Sequence, residues 1–121
     1  MKIATPQEIN NFLHVFKFYA DCPGCFHLVD RKDLKNIATT GLTFAQAREV
    51  ILQLTYIDYI KGPVVDMFYK DYNVWEFGQE LEDIGIYIKL SDNFDHKMAK
   101  CISFHIAKHS MTYPYNKKRG K

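Results

Sequence analysis

Two hydrophobic periodicities divide the chain near Pro63. Before this residue, apolar positions recur every three or four residues, which is typical of amphipathic helices. The clearest examples are Ile9, Phe12, Leu13 and Phe16 in a first segment and Phe44, Ala47, Val50, Ile51 and Leu54 in a second. After Pro63, apolar and polar residues alternate, which is typical of strands with one buried face. This order predicts an α+β domain whose N-terminal helices pack on one face of an antiparallel β-sheet.

Capping motifs predict where the helices begin. Thr5-Pro6-Gln7-Glu8 combines an N-cap threonine, a proline at the first helical position and a capping-box glutamate. We expect this first helix to end near Asp21. Thr43-Phe44-Ala45-Gln46 is a second capping box and opens a helix over 44–54. A short helix is also predicted over 34–38.

Period-two alternation and turn signals predict five strands. They are expected over 26–29, 64–69, 74–77, 84–90 and 98–107. Short polar loops between the later strands favour an antiparallel meander. In the last strand, the alternation places Ile102, Phe104 and Ile106 toward the helices and Cys101, Ser103 and His105 on the opposite face.

Length and composition indicate a single domain over 1–121. The chain has 121 residues, of which 47% are hydrophobic and 15% aromatic, a content too high for a disordered protein. It has no apolar run of about 20 residues, and its first residues, MKIATPQE, lack the pattern of a secretory signal. We therefore expect a cytoplasmic protein without a membrane partner.

Charge is distributed unevenly along the chain. Residues 97–121 hold seven Lys/Arg and no Asp or Glu, whereas residues 1–96 hold nine basic and fourteen acidic residues. Such a division indicates a polyanionic partner, nucleic acid first and an anionic membrane second. It also fits an acidic body that docks a basic protein. The simplest alternative is a solvated tail, and residues 112–121 are predicted to be flexible and basic.

Three cysteines leave several interpretations open. Cys22-Pro23-Gly24-Cys25 has the spacing of a redox dithiol, but it follows a helix and precedes a strand, the wrong context for one. It also resembles half of a zinc site, yet His27 and Cys101 make a poor second half. A Pro-Gly turn is the reading we favour. We expect no metal and no cofactor.

The strand alternation predicts a polar site on the open face of the sheet. If the isoleucines of 84–90 face the helices, Tyr87 and Lys89 face the other way. Tyr87 is then expected opposite Ser103 or His105, with facing Cβ atoms about 5 Å apart. A hairpin through 80–83 is expected to bring Glu76 level with Tyr87.

These side chains suit the cleavage of RNA. The attacking 2′-hydroxyl must lose a proton, the phosphorus centre needs a cation, and the leaving 5′-oxygen needs a proton. His105 can act as base or acid, Lys61 and Lys89 carry positive charge, and Tyr87 can donate a hydrogen bond or stack on a base. The alternative is an ordinary wet sheet face, since any such face carries polar residues at this spacing.

The order of several short motifs resembles the MqsR-type toxins of bacterial type II toxin–antitoxin modules. The motifs are Gly41-Leu42-Thr43-Phe44, Asp58-Tyr59-Ile60-Lys61-Gly62, Trp75-Glu76, Ile86-Tyr87-Ile88-Lys89 and Ile102-Ser103-Phe104-His105. The resemblance covers about residues 41–108; the first helix and the 22–25 turn have no clear counterpart in the best-known members. It implies a RelE-like fold and a small endoribonuclease that cuts mRNA.

The resemblance also implies roles for particular residues. Lys61 matches a lysine implicated in catalysis and Tyr87 a catalytic tyrosine. Glu76 stands where well-known members have a glutamine, and His105 where they have a lysine, so both are candidate catalytic residues that depart from the pattern. Lys89, Ser103 and Lys108 are the candidate RNA-binding residues.

Finally, the resemblance implies partners. They are an mRNA substrate, a cognate antitoxin with a helix-turn-helix DNA-binding part, and for some RelE-like enzymes the ribosome. The function expected from the sequence is therefore a metal-independent mRNA endoribonuclease that inhibits growth. The alternative is a non-catalytic module that binds RNA or a DNA-binding partner protein.

Overall fold

Helices and a mixed five-stranded sheet form two layers in a computed structural model, which describes residues 3–29 and 36–116. The helices are α1 (Pro6–Ala20), α2 (Asn36–Thr39) and α3 (Phe44–Leu52), with short 3-10 turns at Tyr56–Asp58 and Asp95–Lys97. The strands are β1 (Phe26–Leu28), β2 (Tyr59–Val65), β3 (Asn73–Leu81), β4 (Ile84–Ser91) and β5 (Ala99–Ile106). Their order across the sheet is β1-β5-β4-β3-β2. The predicted α+β class, with the N-terminal helix against the sheet, is confirmed.

Helix α1 begins and packs as its sequence predicts. The Thr5 side chain accepts a hydrogen bond from the Glu8 backbone N–H, and the Glu8 carboxylate accepts one from the Thr5 N–H. Its apolar stripe is buried, and the Phe12 ring stacks on Trp75 of β3 at a centroid distance of 4.6 Å. The helix layer therefore covers the face of the sheet to which Trp75 points.

The start of α3 is confirmed, whereas the helix predicted over 34–38 is only partly described. Thr43 and Gln46 exchange both hydrogen bonds of a capping box. Residues 34 and 35 lie outside the described residues, and α2 covers 36–39. Within the described ranges, no helix combines the length and hydrophobicity needed to cross a bilayer.

The predicted strand over 64–69 is wrong in its position, since β2 runs over Tyr59–Val65. Thr55 caps the 3-10 turn that ends at Asp58, so the chain becomes extended at Tyr59. At the other end, the buried Asp66 carboxylate accepts hydrogen bonds from the backbone N–H groups of Phe68 and Tyr69. This Asx-type turn bends the chain away from the sheet, so residues 67–69 form a loop.

The predicted meander is confirmed for β2 to β5, each of which pairs antiparallel with the next. Strand β1 departs from the all-antiparallel expectation, because it pairs in parallel with β5, with Phe26 opposite Ala99. Parallel neighbours require a long crossover. Here the intervening helices and the rest of the sheet provide it, so β1 can occupy the edge beside the last strand.

A β-bulge in β5 reverses the predicted facing of two residues. Leu90 pairs with Cys101 and Lys89 pairs with Ser103, so Ile102 is an extra residue without its own partner on β4. Cys101 is fully buried in the core, whereas Ile102 lines clefts on the opposite face. The expectation that Ile102 faces the helices and Cys101 faces away is therefore wrong. Beyond the bulge, Phe104 and His105 face as predicted.

Part of the predicted flexible tail is packed against the body. Met111 and Tyr113 are 8% and 2% exposed, and the Tyr113 hydroxyl donates to the Glu80 carboxylate at 2.8 Å. The Tyr115 hydroxyl donates to the backbone carbonyl of Ala4 at 2.6 Å. Residues 112–116 thus form part of the folded body, while residues 117–121 lie outside the described residues.

Candidate functional site on the open face of the sheet

The open face of the sheet is built by strand alternation. Ile86, Ile88 and Phe104 are buried on the helix side, so the residues between them face away from the helices. Pairing across β2, β3, β4 and β5 then aligns one row of side chains in the order Lys61, Glu76, Lys89 and Ser103. The next row contains Gly78, Tyr87 and His105.

The two rows bring together six of the seven predicted site residues. Tyr87 lies directly opposite His105, as the sequence predicts. Glu76 lies opposite Lys89 and not level with Tyr87, whose partner on β3 is Gly78. The expected register of that hairpin was therefore two residues off. Glu76 and Tyr87 still interact, since they are diagonal neighbours on one face.

Tyr87 and His105 form a ring pair. Their centroids lie 5.1 Å apart with an interplanar angle of 30°. The Nδ1 atom of His105 lies 2.8 Å from the backbone carbonyl oxygen of Ile106. Because a carbonyl only accepts hydrogen bonds, Nδ1 carries the proton, and the neutral ring has its lone pair on Nε2. This fixed tautomer gives His105 a free nitrogen with which to accept a proton.

Tyr87 is held in its protonated form. Burial, followed by a hydrogen bond to Glu76 and the negative charge of that carboxylate, raises the pKa of the Tyr87 hydroxyl well above its ordinary range. At neutral pH the phenol is therefore a hydrogen-bond donor and cannot act as a base.

Lys61 and Glu76 form an ion pair at the start of the first row. The Lys61 ammonium and the Glu76 carboxylate lie 3.6 Å apart, with side chains 44% and 11% exposed. The lysine thus keeps an accessible face for an anion, while most of the carboxylate is covered. This arrangement reduces the repulsion that a bare carboxylate would exert on a phosphate.

Two adjoining clefts lie over these rows. The first, of about 440 Å³, is lined by Lys61, Glu76, Tyr87, His105 and residues from 107 to 112; we call it the strap cleft. The second, of about 330 Å³, is lined by residues 64–68 together with Glu76, Tyr87, Lys89, Ser103, His105 and Lys108; we call it the loop cleft. Each of the seven predicted residues lines at least one cleft. Glu76, Tyr87, His105 and Lys108 line both, so they stand where the clefts meet.

The wall of the strap cleft is a feature that the sequence did not predict. Residues 107–113, here called the C-terminal strap, cross the open face after β5, where Met111 and Tyr113 pack over Gly78. A Cβ atom at Gly78 would lie 2.4 Å from the Tyr113 hydroxyl, so the strap can pass only because this position has no side chain. The strap brings His109 and Ser110 to the cleft.

One sequence signal points to His109. It follows His105 by four residues, and a second histidine so close to a candidate proton-transfer residue is a feature worth testing. The predicted strand over 98–107 ended before it and the predicted tail began after it. Neither prediction placed this segment on the sheet.

An exposed apolar loop borders the loop cleft. Met67, Phe68 and Tyr69 are 86%, 67% and 58% exposed, although the backbone that carries them is fixed by the buried Asp66. Met67 and Phe68 line the loop cleft beside Lys89 and Lys108. We call residues 66–72 the aromatic loop. Exposed aromatic rings beside cations are typical of surfaces that bind single-stranded nucleic acids.

The two N-terminal cysteines lie apart from these clefts. The Cys25 N–H donates to the Cys22 carbonyl at 3.1 Å, which is the hydrogen bond of a tight turn, and neither thiol is in a disulfide. The turn interpretation agrees with this geometry. Among the described residues, no group of three or more His, Cys, Asp or Glu is arranged to hold a metal ion.

Comparisons with protein-family models, with curated proteins and with solved structures gave no match for this chain. The functional interpretation therefore depends on the geometry of the open face and on the sequence motifs described above.

Proposed function

We propose that the protein is a metal-independent endoribonuclease that cleaves mRNA on the open face of its sheet. The observation that carries the proposal is the convergence of Lys61, Lys89, Tyr87 and His105 around the line where the two clefts meet. These side chains supply a proton acceptor, a hydrogen-bond donor and cations at one place, which are among the groups that RNA transesterification requires.

The proposed reaction begins at His105. Its free Nε2 takes the proton of a ribose 2′-hydroxyl, because the Ile106 carbonyl holds the other ring proton on Nδ1. The 2′-oxygen then bonds to the adjacent phosphorus, the bond to the 5′-oxygen breaks, and the 5′-oxygen takes up a proton. The products are a 2′,3′-cyclic phosphate and a 5′-hydroxyl. Lys61 and Lys89 stabilise the charge on the phosphoryl oxygens. When RNA binds, the Tyr87 hydroxyl turns from Glu76 and donates its one hydrogen bond to a phosphoryl oxygen.

Binding of single-stranded RNA follows from the surroundings of these residues. Lys89 and Lys108 line the loop cleft, and Phe68 offers an exposed ring at its border. A base can stack on the ring while the neighbouring phosphate contacts the lysines. Ser103, beside Lys89 in the first row, can hydrogen-bond the ribose or a phosphate oxygen.

Purified protein and a defined RNA test the proposal. In the presence of a chelator, the wild-type protein is expected to cut the RNA to fragments ending in a cyclic phosphate. His105→Ala is expected to lower the cleavage rate by about 10²–10⁴-fold. Tyr87→Phe is expected to lower it about tenfold, since one hydrogen bond to a charged group is lost.

The matched control for these variants is His14→Ala. His14 is exposed on helix α1, which covers the opposite face of the sheet, so cleavage is expected to be unchanged. Unaltered cleavage by both His105→Ala and Tyr87→Phe would remove the site assignment. Intact RNA that nevertheless binds the wild-type protein would favour the non-catalytic binding module instead.

In the cell, we propose that this activity makes the protein a cytoplasmic, growth-inhibiting toxin of the MqsR type. An enzyme that destroys mRNA needs an inhibitor, so the proposal includes a cognate antitoxin with a helix-turn-helix DNA-binding part. Induction of the gene alone is expected to stop growth and shorten transcripts, and co-expression of the antitoxin is expected to restore both. Normal growth with intact transcripts after induction alone would contradict the toxin assignment. Cleavage with and without ribosomes decides whether the ribosome takes part.

A further inference from the structure

RNA cleavage requires a second proton-transfer group that the predicted site residues do not supply. The leaving 5′-oxygen carries negative charge as its bond to phosphorus breaks, and it needs a proton. His105 is the acceptor of the first proton, so another side chain has to donate the second. The donor is expected to lie in the strap cleft, because this cleft contains both His105 and the Lys61–Glu76 pair.

Most of the titratable side chains in the strap cleft are unsuited to this donation. Glu76 lies against the Lys61 ammonium and accepts a hydrogen bond from Tyr87, so it acts as an acceptor. A proton lost from Tyr87 would leave a phenolate beside that carboxylate, and like charges so close are unfavourable. Lysine holds its proton about four pKa units more tightly than histidine does, which makes it a weaker acid.

His109 satisfies the requirement. It is an exposed residue of the C-terminal strap and lines the strap cleft together with His105. The strap is fixed by Met111 and Tyr113, which pack over Gly78, and by the hydrogen bond from Tyr113 to Glu80. The histidine therefore stands on anchored backbone next to the opening of the cleft, where it can exchange protons with water between turnovers.

We propose that His109 is the general acid of the reaction and protonates the leaving 5′-oxygen while His105 deprotonates the 2′-hydroxyl. The proposal rests on the endoribonuclease function. One proton moves from the 2′-oxygen to His105 Nε2 and one from the His109 imidazolium to the 5′-oxygen. The bond from 2′-oxygen to phosphorus forms and the bond from phosphorus to 5′-oxygen breaks. Return of a proton from His105 to His109 through water restores the starting state.

A substrate whose leaving group needs no proton tests this assignment. We compare an RNA with a normal scissile phosphodiester and the same RNA with sulfur in place of the bridging 5′-oxygen, since a thiolate leaves without an acid. His109→Ala is expected to cleave the normal RNA about 10²–10⁴-fold more slowly than the wild type. On the sulfur-bridged RNA, the cleavage rate of His109→Ala is expected to lie within about tenfold of the wild-type rate.

His105→Ala and His14→Ala are the controls. The first is expected to be slow on both substrates, because the base is still needed, and the second is expected to match the wild type on both. His109→Gln, which retains polarity but cannot donate a proton in this way, is expected to behave like His109→Ala. Circular dichroism and thermal melting confirm that each variant is folded.

The outcomes separate the two proposals. A His109→Ala variant that cleaves normal RNA at the wild-type rate, or that is slowed equally on both substrates, would overturn the role of His109 and leave the endoribonuclease function intact. A wild-type protein that cleaves neither substrate would overturn the endoribonuclease function, and the role of His109 with it.

Discussion

At the scale of single residues, the candidate site depends on hydrogen bonds that fix the positions of protons. The Ile106 carbonyl holds a proton on Nδ1 of His105, and Glu76 holds the proton of Tyr87. Because both partners are backbone or strand residues, the position of the Nδ1 proton of His105 and the protonated form of Tyr87 are set before any substrate arrives. Such preorganisation is what the proposed catalysis on a small sheet surface needs.

The raised pKa of Tyr87 predicts how stability changes at alkaline pH. The group's pKa is higher in the folded protein than in the unfolded chain, where it is about 10. The contribution of this group to the free energy of unfolding is therefore fully present below about pH 10. It is lost as the pH rises toward the pKa of the folded protein, by at most about 1.4 kcal/mol per pH unit. Urea denaturation of the wild type between pH 8 and 11 is expected to show this decline as part of the total fall in the free energy of unfolding at alkaline pH.

Tyr87→Phe isolates that part of the decline. The variant is expected to lose less stability than the wild type above about pH 10, because it has no phenol to ionise at this position. Identical pH curves for the wild type and Tyr87→Phe would contradict the account of this hydroxyl.

At the scale of elements, the strands position the candidate catalytic side chains, while the strap and the aromatic loop shape the clefts. Strands β4 and β5 hold Tyr87 opposite His105. The strap forms one wall and the aromatic loop borders the other cleft. The strap and the aromatic loop can each be tested by one substitution with a matched control elsewhere in the chain.

Gly78→Ala tests the strap. The added Cβ would meet the Tyr113 hydroxyl at 2.4 Å and the Met111 sulfur at 2.7 Å, so the strap has to shift. We expect a loss of about 1–3 kcal/mol in the free energy of unfolding and a fall in cleavage. Gly85→Ala is the milder control, since its nearest contact is the flexible end of Met111 at 3.1 Å. Equal stability and activity of Gly78→Ala and the wild type would show that the strap does not need this close approach.

Phe68→Ala tests the aromatic loop. If a base stacks on this ring, its removal is expected to raise KM for RNA by about 5–100-fold, with kcat unchanged, because stacking contributes about 1–3 kcal/mol per base. Phe18→Ala on helix α1 removes a ring of similar exposure, 63% against 67%, and is expected to leave KM as it is. An unchanged KM for Phe68→Ala, or a fall in kcat alone, would exclude the loop from substrate binding.

At the scale of the whole molecule, alternation in the sequence predicted the sheet and its open face, but not every register. Ile86 and Ile88 alternate with Tyr87 and Lys89, so the facing of β4 was readable from the sequence. The bulge at Ile102 could not be predicted from the sequence, because two adjacent apolar residues, Cys101 and Ile102, fit either face equally well. A bulge is decided by pairing with β4, which is a long-range interaction.

The path of the C-terminal strap was also beyond prediction from local pattern. The polar and basic residues of the strap are typical of a tail. The strap packs against the sheet because Gly78, a position distant in sequence, has no side chain. The pairing of strand β1 was also not predictable, because an alternation over three residues is too short to show that the strand pairs in parallel with β5. Both cases depend on tertiary contacts, and the strap is the one that completes the candidate site.

The same strap carries one of the basic residues that make the charge of the chain uneven. Lys108 lies in the basic region of 97–121 and lines both clefts. Part of the positive charge of this region thus lies beside the candidate catalytic residues, where an RNA backbone would be attracted.

The central claim is that the ribose 2′-hydroxyl is the nucleophile of a cleavage reaction on this face, without a metal ion. The most direct measurement compares an RNA with the same RNA that has one 2′-deoxy sugar at the cut position, each incubated with pure protein and a chelator. We predict cleavage of the first to a 2′,3′-cyclic phosphate and a 5′-hydroxyl, and no cleavage at the modified position of the second. Cutting of both molecules at that position, or of neither, would contradict the account.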